Sequence, residues 1–127
     1  MEIERISTML AVRNLAESAG YYERYFGFEL VDEADGIVLI ARGETYLHLV
    51  LESPPTSDKP GTTIAPLESA DRTPVNIVFR VPDCRAAHNE LTALGLEFLS
   101  PPTQPPWGGW RCFTRDPNGY LIEIEGA

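Results

Sequence analysis

At 127 residues the chain is long enough for one hydrophobic core and too short for several independent ones. Hydrophobic residues at 43% and charged residues at 23% exclude a disordered chain. A formal net charge of −9, with Lys59 as the single lysine, argues against nucleic acid and against anionic membrane surfaces, and leaves room for a cationic small molecule. No apolar run approaches a membrane span, and residues 1–12 lack the basic start and long apolar stretch of a secretory signal, so a cytoplasmic location is expected. Cys84 and Cys112 have no metal-type spacing and read as two reduced, partly buried thiols.

In chain order, Ile6–Val12 alternates as a strand, with Ile6, Thr8, Leu10 and Val12 on one face and Ser7, Met9 and Ala11 on the other. Asn14 is placed to cap a helix, and Glu17 stands at the capping-box spacing. Leu15, Ala19, Tyr22 and Phe26 form the helix's buried stripe, and Gly27 suits the left-handed residue that stops it. Strands are predicted over Glu29–Asp32, Ile37–Ala41 and Thr45–Leu51, with turns at Asp35-Gly36 and Arg42-Gly43. Residues Glu52–Pro74, rich in proline, serine and threonine, form a connection long enough to be a binding lid or a mobile segment. Val75–Val81 is a second opening strand, with Val75, Ile77, Phe79 and Val81 toward its helix and Asn76, Val78 and Arg80 away from it. Asp83 caps the second helix, Cys84, Ala87, Leu91 and Leu94 form its stripe, and Gly95 ends it. A short strand Glu97–Leu99, a proline-rich loop Ser100–Gly109 and strands Trp110–Arg115 and Tyr120–Glu125 complete the chain. The last two strands are joined by a tight turn at Asp116-Pro117-Asn118-Gly119.

The two halves repeat one plan. Val12-Arg13-Asn14-Leu15, a helix and Phe26-Gly27-Phe28-Glu29-Leu30 recur as Val81-Pro82-Asp83-Cys84, a helix and Leu94-Gly95-Leu96-Glu97-Phe98, at offsets of 69 (83 − 14) and 68 (95 − 27). The expectation is an α+β fold of two βαβββ modules forming curved mixed sheets around a cleft, with the helices outside. It is expected as a single domain over 1–127, with module one at 1–53, a linker at 54–73 and module two at 74–127.

The paired modules, together with Val12-Arg13-Asn14-Leu15, Tyr25-Phe26-Gly27-Phe28 and the closing run Trp107 to Ile124, resemble the vicinal oxygen chelate superfamily. That superfamily includes glyoxalase I, extradiol dioxygenases, fosfomycin-resistance enzymes and bleomycin-resistance binding proteins. Arg115-Asp116-Pro117-Asn118-Gly119-Tyr120-Leu121-Ile122-Glu123 is the most specific part of the resemblance. The superfamily's metal-dependent members place ligands at four inward positions, which fall here on Ser7, His48, Asn76 and Glu123. At the positions of Ser7 and Asn76 those enzymes usually carry histidine or another strong ligand. Serine is neutral and an amide oxygen suits harder cations, so His48 and Glu123 alone fall short of the three protein ligands of a catalytic metal site. No metal and no cofactor are therefore expected; a site completed by water or by a partner subunit is the alternative.

Each candidate residue also has a plain structural reading. Tyr46 and His48 alternate with aliphatic neighbours and should face the cleft, although a strand histidine is often merely solvated. Glu123 lies between Ile122 and Ile124 and should point the other way, as counter-ion or base, or else in a salt bridge to Arg80 or Arg111. Trp107 and Trp110 flank Gly108-Gly109 and could present an aromatic surface, though at least one should close the end of the core. Tyr21, Tyr22 and Tyr25 read as helix packing, and His88 as a solvent or core-edge residue. No phosphate loop, nucleophile triad or zinc motif occurs.

The expected ligand-binding set is Ser7, Met9, Tyr46, His48, Asn76, Trp107, Trp110 and Glu123, with no catalytic and no metal residue. The function expected by resemblance is a metal-free binding protein of the bleomycin-resistance type that sequesters a drug-like or metabolic ligand, cationic or aromatic in character. The alternative is a glyoxalase-like lyase, isomerase or dioxygenase, either metal-dependent or using His48 and Glu123 as an acid–base pair. A scaffold role is a third option. Exposed sheet edges predict a homodimer, domain-swapped or not, with strand Ile37–Ala41 interior or covered.

Overall fold

A computed structural model describes residues 1–127, and the chain divides into two compact units, Met1–Glu68 and Ser69–Ala127. In the first unit, β1 (Thr8–Ala11) leads into α1 (Leu15–Phe26), followed by β2 (Glu29–Ala34), β3 (Ile37–Arg42) and β4 (Thr45–Val50). The sheet order is β1-β4-β3-β2; β1 runs parallel to β4 and the other pairs are antiparallel. The uncharged stretch of β3 thus lies between two strands, as its composition requires. The Asn14 side chain caps α1 by accepting the Glu17 N–H at 2.9 Å, and Gly27 closes it at φ 68°, where a side chain would be strained. Arg42 fastens that end by donating to the Phe26 carbonyl at 2.6 Å.

The core of this unit comprises Leu10, Val12, Tyr22, Phe26, Phe28, Val38, Ile40, Leu47 and Leu49. Along β4 the buried residues Leu47 and Leu49 alternate with half-buried Tyr46 and His48, so the period-two reading holds. Several details differ from expectation. β1 begins at Thr8, leaving Ile6 and Ser7 outside it. The α1 stripe includes buried Ser18, with Leu15 and Ala19 only half-buried. The β3–β4 turn is Gly43-Glu44, because Arg42 remains paired with Thr45.

The proline-rich connection carries order of its own. Ser53 and Ile64 form an antiparallel bridge with both backbone bonds at 2.9 Å, and Arg13 donates to the Leu67 carbonyl at 2.8 Å. The ammonium of Lys59 donates to the carbonyls of Ser53 at 3.2 Å, Pro54 at 2.5 Å and Thr62 at 3.3 Å. The Pro54 and Thr62 carbonyls have no ladder partner, and the Ser53 carbonyl, which already accepts from Ile64, takes the ammonium on its second lone pair, so a single cation ties the bridge to the loop beside it. Replacing Lys59 with methionine should therefore cost about 1–2 kcal/mol, the scale of lost charge-assisted bonds at a partly exposed site. Thermolysin should then cut first between residues 53 and 67; an unchanged cleavage pattern would contradict this role for Lys59.

The second unit contains β5 (Asn76–Val81), α2 (Cys84–Ala93), β6 (Trp110–Arg115) and β7 (Leu121–Gly126). Its sheet order is β5-β7-β6, with β5 parallel and β6 antiparallel to β7. The Asp83 side chain caps α2 by accepting the Ala86 N–H at 3.0 Å. In the turn between β6 and β7, Asp116 Oδ1 accepts the N–H groups of Asn118 at 2.8 Å and Tyr120 at 3.0 Å. The expected strand Glu97–Leu99 is reduced to isolated bridges, Phe98 with Thr114 and Thr103 with Arg111. Pro101, Pro102, Pro105 and Pro106 offer no N–H there, so a continuous ladder cannot form beside β6. Leu94, expected in the helix stripe, is exposed, while Cys84 and Leu91 are buried. Two mixed sheets of four and three strands with two helices make the α+β fold that the βαβββ plan implies.

Cys84 and Cys112 are both fully buried, with their sulfurs 3.9 Å apart, and Cys84 donates to the Ile124 carbonyl at 3.3 Å. Burial pushes both thiols up, Cys112 to about 12. In the unfolded chain these thiols ionise near their ordinary value, so the stability they contribute is complete below that value. It is lost as pH rises through the interval up to about 12. Both should resist an aromatic disulfide reagent at pH 8 in the folded protein and react at once in denaturant. Rapid titration of either native thiol would contradict this burial.

Candidate functional site

On β7, Ile122 and Ile124 are buried on the α2 side, so Leu121, Glu123 and Glu125 lie on the opposite face. Register sets Glu123 between Val78 of β5 and Phe113 of β6, and Glu125 between Arg80 and Arg111. Glu123 is only 7% exposed. A carboxylate taken that far out of water needs compensation, and two neighbours provide it. Its Oε2 accepts from the Asn76 amide at 2.7 Å, and its Oε1 lies 4.0 Å from the Arg111 guanidinium. Of the two partners considered for Glu123, Arg111 is the one found; Arg80 pairs with Glu125 at 3.3 Å instead. Arg115, on the same strand as Arg111, is held by the Ala70 carbonyl and by Asp71 at 3.7 Å.

Arg111 lies over two rings, 5.0 Å from the centroid of Trp107 and 5.3 Å from that of Phe113. Trp107 is 71% exposed, whereas Trp110 is half-buried with Arg85 stacked over it at 4.4 Å. Gly109 of the Gly108-Gly109 pair has a structural cause. A Cβ on Gly109 would stand 2.7 Å from the Gly126 carbonyl oxygen, so the close approach is to the backbone of β7.

On the first unit's sheet, His48 is half-buried in register between Met9 and Leu39. Tyr46 is half-buried beneath Arg5, whose guanidinium lies 4.1 Å from the ring centroid, and Met9 is exposed. Ser7 is exposed and precedes β1, so it is not a first-strand residue as the carried-over pattern requires. His88 packs its ring on Phe98 with centroids 4.5 Å apart, a structural contact at the core edge.

The donor chemistry does not fit a catalytic metal. No group of three or more histidine, cysteine, aspartate or glutamate side chains is assembled anywhere in the chain. Of the two carried-over positions on the second unit, Glu123 is the stronger ligand, and it already accepts from Asn76 and faces Arg111 at 4.0 Å, whose positive charge would repel a dication at the same oxygens. Asn76 spends its amide as a donor to that carboxylate.

Arg111 and Phe113 stand outside the expected ligand-binding set, and Arg111 enters only as a salt-bridge partner. The available signal was alternation along Trp110–Arg115, which places Arg111, Phe113 and Arg115 together, away from buried Cys112 and Thr114.

The chain belongs to the Glyoxalase/Bleomycin resistance protein/Dioxygenase superfamily, whose sequence model matches residues 5–124. No curated protein sequence matches it significantly. Among solved structures it is similar to lactoylglutathione lyase from Agrobacterium tumefaciens, at TM-score 0.77 and 20% identity over 100% of this chain and 96% of that one. It is similar to a bleomycin resistance determinant encoded on the transposon Tn5, at TM-score 0.71 and 21% identity over 98% of both chains. A bleomycin-binding protein complexed with bleomycin matches at TM-score 0.70 and 20% identity, over 98% of this chain and 99% of that one. At these identities the likeness establishes the fold and leaves the chemistry to the residues.

Proposed function

We propose that this chain is a small-molecule binding protein that holds a drug-like or metabolic ligand without a metal ion. The observation that carries the reading is the state of Glu123. It is bound by Asn76 and compensated by Arg111, where a metal enzyme would leave it free to ligate. The bleomycin-binding protein complexed with bleomycin is a binder with the same fold. On the second unit the ligand contacts proposed are Asn76, Trp107, Trp110 and Glu123; on the first they are Met9, Tyr46 and His48, with Ser7 at the strand entry. The exposed Trp107 ring favours a ligand with a flat or aromatic portion. The neutralised Glu123 is a poor counter-ion for a cationic one.

The same reading places the protein in the cytoplasm and pairs it as a homodimer. Edge strand β2 already carries Glu29, Asp32 and Glu33, so support for a dimer comes from the exposed apolar pair Leu30 and Val31 rather than from a bare edge. Light scattering should return a dimer mass at micromolar concentration; a monomer mass would remove that part of the proposal.

The main test is a thermal-shift screen of purified protein against divalent metals and a library of aromatic metabolites and antibiotics. Saturating a site at a hundred times its dissociation constant adds about 2.7 kcal/mol, which is readily seen as a higher melting temperature. Organic ligands should give such shifts and metals should not. Stoichiometric nickel, zinc, manganese or iron in the purified protein would overturn the reading in favour of a lyase, isomerase or dioxygenase.

A further inference from the structure

The ligand's own chemistry can be narrowed from Arg111. A guanidinium carries five N–H donors in a planar fork. Arg115, its neighbour on this face, spends donors on the Ala70 carbonyl and pairs with Asp71. Arg111 has no such acceptor for its side chain. Its contacts are the rings of Trp107 and Phe113 and a carboxylate at 4.0 Å, beyond hydrogen-bond length, while its side chain is only 30% exposed. A half-buried fork braced by aromatic rings, with no protein acceptor within hydrogen-bond distance, is suited to receive two oxygens at once.

Local charge permits this despite the acidic chain. Arg80 pairs with Glu125, Arg111 with Glu123 and Arg115 with Asp71, so the face is neutral, and the Asn76 amide already takes up part of the Glu123 charge. We infer that Arg111 is the anchor for a carboxylate on the ligand, and that the ligand's flat apolar body packs on Trp107. This rests on the small-molecule binding reading proposed above and specifies the ligand class for the second unit's face.

Three probes of equal shape separate the possibilities: 2-naphthoate, 2-naphthamide and 2-naphthylmethylammonium. Each is titrated into the full-length 15N-labelled chain while the indole N–H resonance of Trp107 is followed, assigned with Trp107→Phe. Naphthoate should shift that resonance saturably at millimolar concentration or below, with the amide and the ammonium at least tenfold weaker. In Arg111→Met the naphthoate affinity should fall at least tenfold. Arg111→Lys, which keeps the charge and loses the fork, should fall between, and guards against misfolding of the methionine variant.

An ammonium probe that binds as tightly as the carboxylate, a naphthoate affinity unchanged in either variant, or no saturable naphthoate binding would each overturn the inference. If the amide or ammonium saturates where naphthoate does not, the binding-protein reading stands and only the carboxylate assignment falls. If none of the three probes binds and no library compound shifts the melting temperature, both fall.

Discussion

Gly126→Ala should lower stability by about 3 kcal/mol or more, the upper range for overpacking a site that cannot yield. Gly126 ends β7, the middle strand of its sheet, where it pairs with Val81 of β5 on one side and Trp110 of β6 on the other. A Cβ there would lie 2.1 Å from the Val81 carbonyl oxygen and 3.1 Å from its carbon. Both are backbone atoms of a neighbouring strand, so no rotamer change relieves the clash. Relief requires opening the β5–β7 ladder at its end, beside the Cys84 N–H bond to the Ala127 carbonyl at 3.0 Å. The matched control is Gly20→Ala at an exposed position of α1, where nothing lies within 4 Å of the added carbon. That change should raise stability by about 0.5–1 kcal/mol through helix propensity and a less flexible unfolded chain. At about 4 °C per kcal/mol for a chain of this size, thermal melts should separate the two variants by more than about 10 °C. Similar melting temperatures would show that β7 is not held as tightly as its register implies.

Local physics makes much of the fold legible in the sequence. Asn14, Gly27 and Asp83 act where their side-chain chemistry predicts, because caps and left-handed stops depend on near neighbours in sequence. Alternation along β4 and β7 separated Leu47, Leu49, Ile122 and Ile124 from His48 and Glu123 for the same reason. What escaped depended on distant partners. Cys84 and Cys112 read as unrelated thiols, yet they meet sulfur to sulfur because register brings the start of α2 over β6. The proline-rich connection read as lid or mobile segment, since the role of Lys59 lies in three carbonyls that no pattern announces. Gly109 is required by the backbone of Gly126, a neighbour 17 residues on in sequence (126 − 109) that the flanking tryptophans do not announce. For the candidate site, Glu123 was found by its face, but which arginine it meets is a matter of geometry alone: Arg80 and Arg111 both flank β7, and side-chain reach decides.

That choice of partner makes the Arg111–Glu123 pair the most consequential point on the second unit's face. Removing the guanidinium leaves a carboxylate at 7% exposure with only the Asn76 amide to hold its charge. Arg111→Met should therefore cost about 2 kcal/mol, below the scale for a fully buried pair because the guanidinium is partly exposed and 4.0 Å away. Glu123→Gln should cost less, about 1 kcal/mol, because its neutral carbonyl can still accept from Asn76 while the partly exposed guanidinium keeps contact with water. The double variant removes the stranded charge altogether, so it should be more stable than the sum of the single losses by about 1–2 kcal/mol. Denaturant melts of the four proteins close the cycle. Simple additivity would mean that the 4.0 Å approach contributes no coupling and that Glu123 is held by Asn76 alone. Coupling of the predicted sign would mean that a fixed guanidinium compensates the buried Glu123 carboxylate. Glu123 would then answer first to Arg111, and any ligand reaching this face would meet the guanidinium fork and the Trp107 ring before a free carboxylate.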